Sequence, residues 1–343
     1  MPIINQSEIA RKLKVSRATV SKALKGDSDI SDEMKQRVRD LADKLNYIPH
    51  YHARGLHSRK SMTIGVVVPD ISNSFFSYAV DGIMDVAVRS GYHIILAVSR
   101  EKSEIEKKNI LNLLSMRVDG LLIAVSKESP DIQIYQKVKI SDVPLIFFDR
   151  VLEGQGSGFV GIDDRGAAKK LIDFVIRCGY RNIGHLAGSS LVRIGRDRLS
   201  GYLDSLRDHG LPVRREWIVE GGFERKDGIS GFEKIWMGRD KPEVVFAAND
   251  QIALGAYDAI REKGLKIPDD IGVVAFGHHD FAKIPSPCMT IINVDPYDLG
   301  LQAMEMMLQC IRGEKGCEKK VLIDSEIEIG ESLKVPGKPE PHA

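Results

Sequence analysis

From Thr63 onward the chain alternates short β-branched runs with amphipathic helical stretches, and that alternation confines it to a narrow set of folds. Ile64–Val68 is followed by a helical pattern over 75–90, His93–Val98 by 104–116 and Leu121–Val125 by 130–140, and Pro144–Phe148 closes the series. A second series runs helix 164–178, strand Asn182–Leu186, helix 196–209, strand Trp217–Glu220, helix 227–237, strand Val244–Ala247, helix 250–263 and strand Val273–Phe276. Strands separated by helices predict parallel sheets covered on both faces. Two series of this length predict two similar α/β lobes. The strand at 290–293, the helix at 296–312 and the strands at 321–329 are expected to lead back to the first lobe. Lobe one is therefore expected at about 62–162 plus 294–329, and lobe two at about 163–293.

In such sheets ligands bind beyond the carboxyl ends of the strands. Those ends carry Asp70, Ser72, Asn73, Phe75 and Phe76, then Asp149 and Arg150, Ser189 to Arg196, Gly221-Gly222-Phe223, Asn249-Asp250 and Gly277 to Asp280. Aromatic rings with a few polar groups between them predict a pocket for a small polar molecule.

Residues 1–60 follow another pattern. Ser7–Leu13 reads as a helix capped by Ser7, with Ile9, Ala10 and Leu13 on one face. Lys14-Val15 makes a tight turn, Ser16 caps a second helix Arg17–Leu24, and a third runs from about Asp32 to Leu45 with Met34, Val38, Leu41, Ala42 and Leu45 inward. Two short helices across a minimal turn predict a helix-turn-helix, with a plain helical bundle as the alternative. The second helix leaves Arg17, Ala18, Ser21 and Lys22 outward, suited to base edges in a major groove. The hydroxyls of Ser16, Thr19 and Ser21 suit phosphate oxygens. Charge agrees: residues 1–60 hold thirteen Lys and Arg against seven Asp and Glu, a net +6 in a chain of net +1. A basic head on an acidic body points to a polyanion at one end only.

Several classes fall away. There is no apolar run of about 18 residues to span a membrane, and the N-terminus lacks the pattern of a secretory signal, so a cytoplasmic protein is expected. Cys178, Cys288, Cys310 and Cys317 show no paired or zinc-ligand spacing. No glycine-rich dinucleotide loop follows the first strand, and neither a P-loop nor a nucleophile elbow is present. Neither an enzyme nor a cofactor is expected. A periplasmic sugar-binding protein would have no use for the basic head.

The motifs IARKLKVSRATVSKAL (9–24), ISDEMKQRV (30–38), NYIP (46–49), ARGL (53–56), TIGVVVPDISNSFF (63–76), DR (149–150), GYRNIGHLAG (179–188), RLSGY (198–202) and FAANDQIALGAYDAI (246–260) resemble the lactose-repressor (LacI/GalR) family of bacterial transcription regulators along nearly the whole chain. The resemblance implies a helix-turn-helix domain over 1–61 and a periplasmic-binding-protein-like body over 62–335 that binds an effector and dimerises, with a flexible tail at 336–343. It implies a hinge helix at about 50–57 that orders on specific DNA, with Leu56 wedging into the minor groove. His50, Ala53 and Arg54 join Leu56 as DNA contacts beside Ser16, Arg17, Ala18, Thr19, Ser21 and Lys22. By the same resemblance a homodimer binds a palindromic double-stranded operator, as a repressor, under control of a sugar or sugar derivative. Asn73, Phe76, Asp149, Arg196, Phe223 and Asn249 carry over as effector contacts, and Phe75 is added to them. For some, other roles compete: Asn249 as a helix cap, Arg196 as a surface charge, one of the two phenylalanines as core.

Two departures stand out. His50, Tyr51 and His52 replace the family's Asn and small residues at the hinge. Near the last loop, Gly277-His278-His279-Asp280 puts His279 where an Asp commonly grips the effector. An imidazole there predicts an effector of negative charge, such as an acidic sugar, unless the loop is shifted and His279 lies outside the pocket. The runner-up is control by a protein partner such as a phosphocarrier protein, known for some family members.

Overall fold

The computed structural model describes residues 5–47, 60–128, 131–152, 154–314 and 320–337. The chain divides into two compact units, Met1–Ser61 and Met62–Ala343.

The first unit packs α1 (Gln6–Leu13), α2 (Arg17–Lys25) and α3 (Asp32–Lys44) around Ile9, Ala10, Val20, Ala23, Val38 and Ala42. Asn5, rather than Ser7, caps α1: Asn5 has the extended backbone a cap needs, and its side chain accepts from Glu8 N at 3.1 Å. Ser7 falls inside the helix instead. Lys14 closes α1 in the left-handed conformation, with φ 53°. That twist lets Val15 N–H reach Ala10 O at 3.0 Å, so the turn needs only Lys14 and Val15 before Ser16 caps α2.

In the second unit, β1 (Thr63–Val68), β2 (His93–Val98), β3 (Gly120–Ile123), β4 (Leu145–Phe148), β5 (Gly158–Gly161) and β11 (Lys320–Leu322) form one parallel sheet in the order β11-β5-β4-β3-β1-β2. The other sheet holds β6 (Ile183–Ala187), β7 (Ile218–Glu220), β8 (Val244–Ala247), β9 (Gly272–Gly277), β10 (Thr290–Asn293) and β12 (Glu326–Glu328), in the order β12-β10-β9-β8-β6-β7. Within it only β12 runs antiparallel, beside β10. Helices α4 (Ser74–Arg89), α5 (Ser103–Ser115), α6 (Ile132–Ile140) and α12 (Pro296–Ile311) belong with the first sheet. Helices α7 (Asp164–Arg177), α8 (Arg193–Asp208), α9 (Arg225–Met237) and α10 (Asp250–Glu262) cover the second. Buried β-branched runs such as Ile64–Val68 are what two covered faces demand. Gly82 and Gly300 let α4 and α12 touch backbone to backbone: a Cβ on Gly300 would lie 1.9 Å from Ala79 O, and one on Gly82 2.2 Å from Tyr297 O.

Three sequence expectations need correcting. Strands β10 and β12 lie in the second sheet, so 321–329 does not return whole to the first lobe. The segment divides after β11, and Ile327 of β12 packs into the core beneath the second sheet. Strand β5, four residues with a glycine at each end, carried no periodic signal and was not anticipated. Helix α8 begins at Arg193, three residues earlier than expected, which brings Ile194 and Gly195 into its buried face.

Candidate functional site

The carboxyl ends of both sheets converge on one cleft. From the first sheet's side come Asn73, Phe75 and Phe76 at the start of α4, then Asp149 and Arg150 after β4. From the other come Ile194 and Arg198 of α8, Phe223 after β7, Asn249 and Asp250 at the start of α10, Phe276 and Gly277 of β9, and Val294 after β10. The cavity left between them is about 50 Å³. The cleft is therefore nearly filled by its own side chains.

Two buried arginines dominate its electrostatics. Arg150 donates from Nη1 to both carboxylate oxygens of Glu101, at 2.8 and 2.9 Å. Arg198 donates from Nε to Asp164 at 2.8 Å and from Nη1 to Ala248 O at 2.5 Å, and its guanidinium lies 3.9 Å from the centre of the Phe276 ring. Around them stand the carboxyls of Asp149, Asp164 and Asp250. Burial pushes Asp149 up from the ordinary carboxylate range, and the nearby arginines only partly offset it. Burial likewise pushes Asp164 and Asp250 up to about 6, against the opposing pull of Arg198 and, for Asp250, the Gln251 N–H it accepts.

Six of the eight residues expected at the effector site line this cleft. Asn73 also caps α4, accepting from Phe75 N at 3.0 Å. Phe75 and Phe76 both line it, set edge to face at 5.5 Å, and Phe76 also belongs to the core of the first sheet. Asp149 holds a left-handed backbone, φ 58°. Asn249 caps α10 through Ile252 N at 2.9 Å, and its amide donates to Phe223 O at 3.1 Å, fixing the loop that carries Phe223. The capping and lining roles coexist.

The other two lie elsewhere. Arg196 is exposed and donates to Ser190 O and Leu191 O at the helix start. The inward face of α8 runs Ile194, Arg198, Tyr202 and Leu206 at four-residue spacing, so Arg198 is the arginine that enters the cleft. That four-residue phase was readable from Ile194, Tyr202 and Leu206. His279 is half-exposed and points away, its Nδ1 2.6 Å from Glu328 and its Nε2 against Lys283. It lines a separate hollow with His278, Asp280 and Tyr78. Arg150 and Asp250, which the sequence puts at strand ends without marking them as effector contacts, also line the cleft.

In the head, Ser16, Arg17, Ala18 and Lys22 are exposed on α2, and Thr19 and Ser21 are half-buried beside them. The hydroxyls of Ser16 and Thr19 lie 2.9 Å apart, and Ser16 also accepts from Thr19 N at 3.0 Å. Lys22 pairs with Asp29 at 2.8 Å, and that partner raises its pKa. His50, Ala53, Arg54, Leu56 and the expected hinge helix at 50–57 fall outside the described residues.

A helix-turn-helix head in one chain with a two-lobed, cleft-bearing α/β body defines a ligand-sensing DNA-binding regulator. Residues 7–50 match the family described as bacterial regulatory proteins, lacI family, and residues 61–333 match the periplasmic binding proteins and sugar binding domain of the LacI family. The chain belongs to the LacI family of DNA-binding transcription regulators, with an effector-binding domain and no enzymatic activity. It is 30% identical over 328 residues to catabolite control protein A of Priestia megaterium, covering 95% of this chain and 98% of that one. It is 29% identical over 333 residues to the ribose operon repressor of Haemophilus influenzae, covering 95% and 97%. A crystal structure of the lac repressor dimer bound to operator is similar with a TM-score of 0.84 and 25% identity, over 96% of this chain and 98% of that one. Among the described residues no helix is long and apolar enough to cross a membrane.

Proposed function

We propose that this regulator acts in the cytoplasm as a homodimeric repressor of a palindromic operator, controlled by a neutral sugar or sugar derivative held between its lobes. The observation that carries the effector is the cleft itself. Phe76 and Phe223 bring aromatic faces to it from opposite sheets, and Asn73, Asp149, Asn249 and Asp250 rim it with groups that address hydroxyls. Similarity to a ribose operon repressor supports the same reading. The expectation of an acidic effector rested on His279, which points into another hollow. The carboxyls of Glu101, Asp149, Asp164 and Asp250 outnumber the two arginines they surround, which disfavours an anion.

On the DNA side, Arg17, Ala18 and Lys22 are the base-reading candidates, Ser16, Thr19 and Ser21 the phosphate neighbours, and Leu56 the wedge. One head reads a half-site, and two-fold symmetry of the protein supplies the palindrome.

The small free volume favours a second reading, in which a protein partner such as a phosphocarrier protein provides the control and the cleft stays shut. Thermal unfolding of the full chain in the presence of neutral sugars separates the two. A ligand that binds only the folded state raises the melting temperature with concentration. A rise with a neutral sugar supports the first reading. No rise with any sugar, but a rise with a phosphocarrier protein, replaces it with the second.

A further inference from the structure

The guanidinium of Arg150 lies where a ligand would. It is 5% exposed, with its carbon 5.5 Å from the centre of the Phe76 ring on one lobe and 5.3 Å from that of Phe223 on the other. Its Nε is buried without a hydrogen-bond partner, and the Asp149 carboxylate stands 3.7 Å away. The backbone around it is strained: Arg100, Glu101 and Asp149 all adopt left-handed φ values of 52°, 59° and 58°. Such conformations cost a non-glycine residue free energy; they recur at ligand clamps and also at helix ends such as Lys14.

The grip extends across the cleft. Glu101 Oε2, which receives Arg150, also accepts Lys127 N–H at 2.7 Å. Lys127 Nζ reaches over to Glu224 at 3.1 Å, the residue next to Phe223. One arginine thus ties Phe76, Glu101 and the Lys127 segment of lobe one to the Phe223–Glu224 loop of lobe two.

We propose that Arg150 is the resident occupant of the cleft: the lobes close on it in place of a ligand, and a ligand enters by displacing it from between Phe76 and Phe223. Arg150 then sets specificity. A replacement must offer flat apolar faces to two rings and supply hydroxyl or amine donors to the carboxylates of Asp149 and Glu101 once the arginine leaves. A net negative charge works against it. The ligand class rests on the effector reading of the cleft; the closure does not.

The test uses the full chain as wild type, as Arg150→Met, and as the double variant Glu101→Gln/Arg150→Met, which removes the carboxylate the single change leaves buried and so protects against a folding failure. Without ligand, hydrogen exchange across 221–227 is expected to quicken at least tenfold in either variant. Unchanged protection in both overturns the proposal. Glucose, glucosamine and glucuronate are then titrated, one ring in three charge states. Glucose and glucosamine are expected to bind the variants at least tenfold more tightly than wild type, with glucuronate the weakest on wild type. Weaker binding of glucose and glucosamine by the variants would make Arg150 a ligand contact and overturn displacement. Faster exchange with no binding of any probe upholds the resident arginine and removes the sugar reading alone.

Discussion

Arginine serves opposite ends in the two units of this molecule. On α2 of the head, Arg17 stands in water, where its fork of donors is available to a groove. In the body, Arg150 and Arg198 are 5% and 6% exposed, each locked to a carboxylate and laid against aromatic rings. An exposed arginine contributes almost nothing to folding and is free to bind, whereas a buried one is part of the fold before it meets any ligand. Sequence position alone does not distinguish them: helix phase turns Arg198 inward, and Arg150 is turned inward by the bend after β4, where Asp149 is left-handed.

The largest test of this contrast is Arg198→Met, which strips Asp164 of its partner in a buried site. Removing one member of a buried pair costs about 3–5 kcal/mol, since the remaining charge is left uncompensated. Urea unfolding of the body is expected to show that loss, and the double variant Asp164→Asn/Arg198→Met to recover most of it. If the single change costs under about 1 kcal/mol, Arg198 is not structural and the contrast fails. Arg17→Ala comes next. Operator binding should weaken by about 1–3 kcal/mol with relaxed preference at one base pair, while stability stays within about 0.5 kcal/mol. Unaltered preference in a selection from random DNA would move base reading to other side chains.

Much of this was legible in the sequence, for physical reasons that also mark where legibility stopped. The β/α alternation gave the two lobes because buried parallel strands must be apolar on both faces, and Ile64–Val68 or Val244–Ala247 cannot be much else. Asn73, Asp149, Phe223 and Asn249 could be found because strand ends are where such sheets bind ligands. Strand β5 could not, since Gly158 and Gly161 bracket only two strand formers. The split of the last segment between sheets depends on pairing partners distant in sequence, β12 on β10 and β11 on β5. Arg198 was missed because the resemblance was carried onto Arg196, two residues and about 200° away on the same helix, although Ile194, Tyr202 and Leu206 mark Arg198 as the inward arginine.

A smaller effect separates the units by pH. Asp250 titrates at about 6 in the folded body against 3.8 for the free side chain, because burial penalises its charge. The folded state then binds more protons than the unfolded one between about pH 4 and 6, so this group's contribution is present in acid and lost as pH rises through 6. In the head, Asp29 is shifted the other way by Lys22, so its contribution is lost as pH falls. Asp250→Asn should therefore gain stability relative to wild type as pH climbs from about 4 to 6, no more steeply than about 1.4 kcal/mol per pH unit, and hold level above. A difference that stays flat throughout would mean that Asp250 ionises as if in water.

The smallest expected effect concerns the residue that looked most distinctive in the sequence. His279 holds Glu328 and Lys283 at the start of a four-residue helix, α11 (His279–Ala282), half-exposed and outside the cleft. Its partners belong to β12 and to the loop after α11, so the interaction stays within the second lobe. A half-exposed pair of this kind is worth at most about 1 kcal/mol. His279→Ala should accordingly leave stability within about 1 kcal/mol of wild type and leave the ranking of neutral, amine-bearing and acidic sugars in a thermal-shift series unchanged. The same series on Arg150→Met is expected to change, which makes the two variants a matched pair. Should the ranking follow His279 and ignore Arg150, the loop after β9 reaches the ligand and the buried arginine is only scaffold.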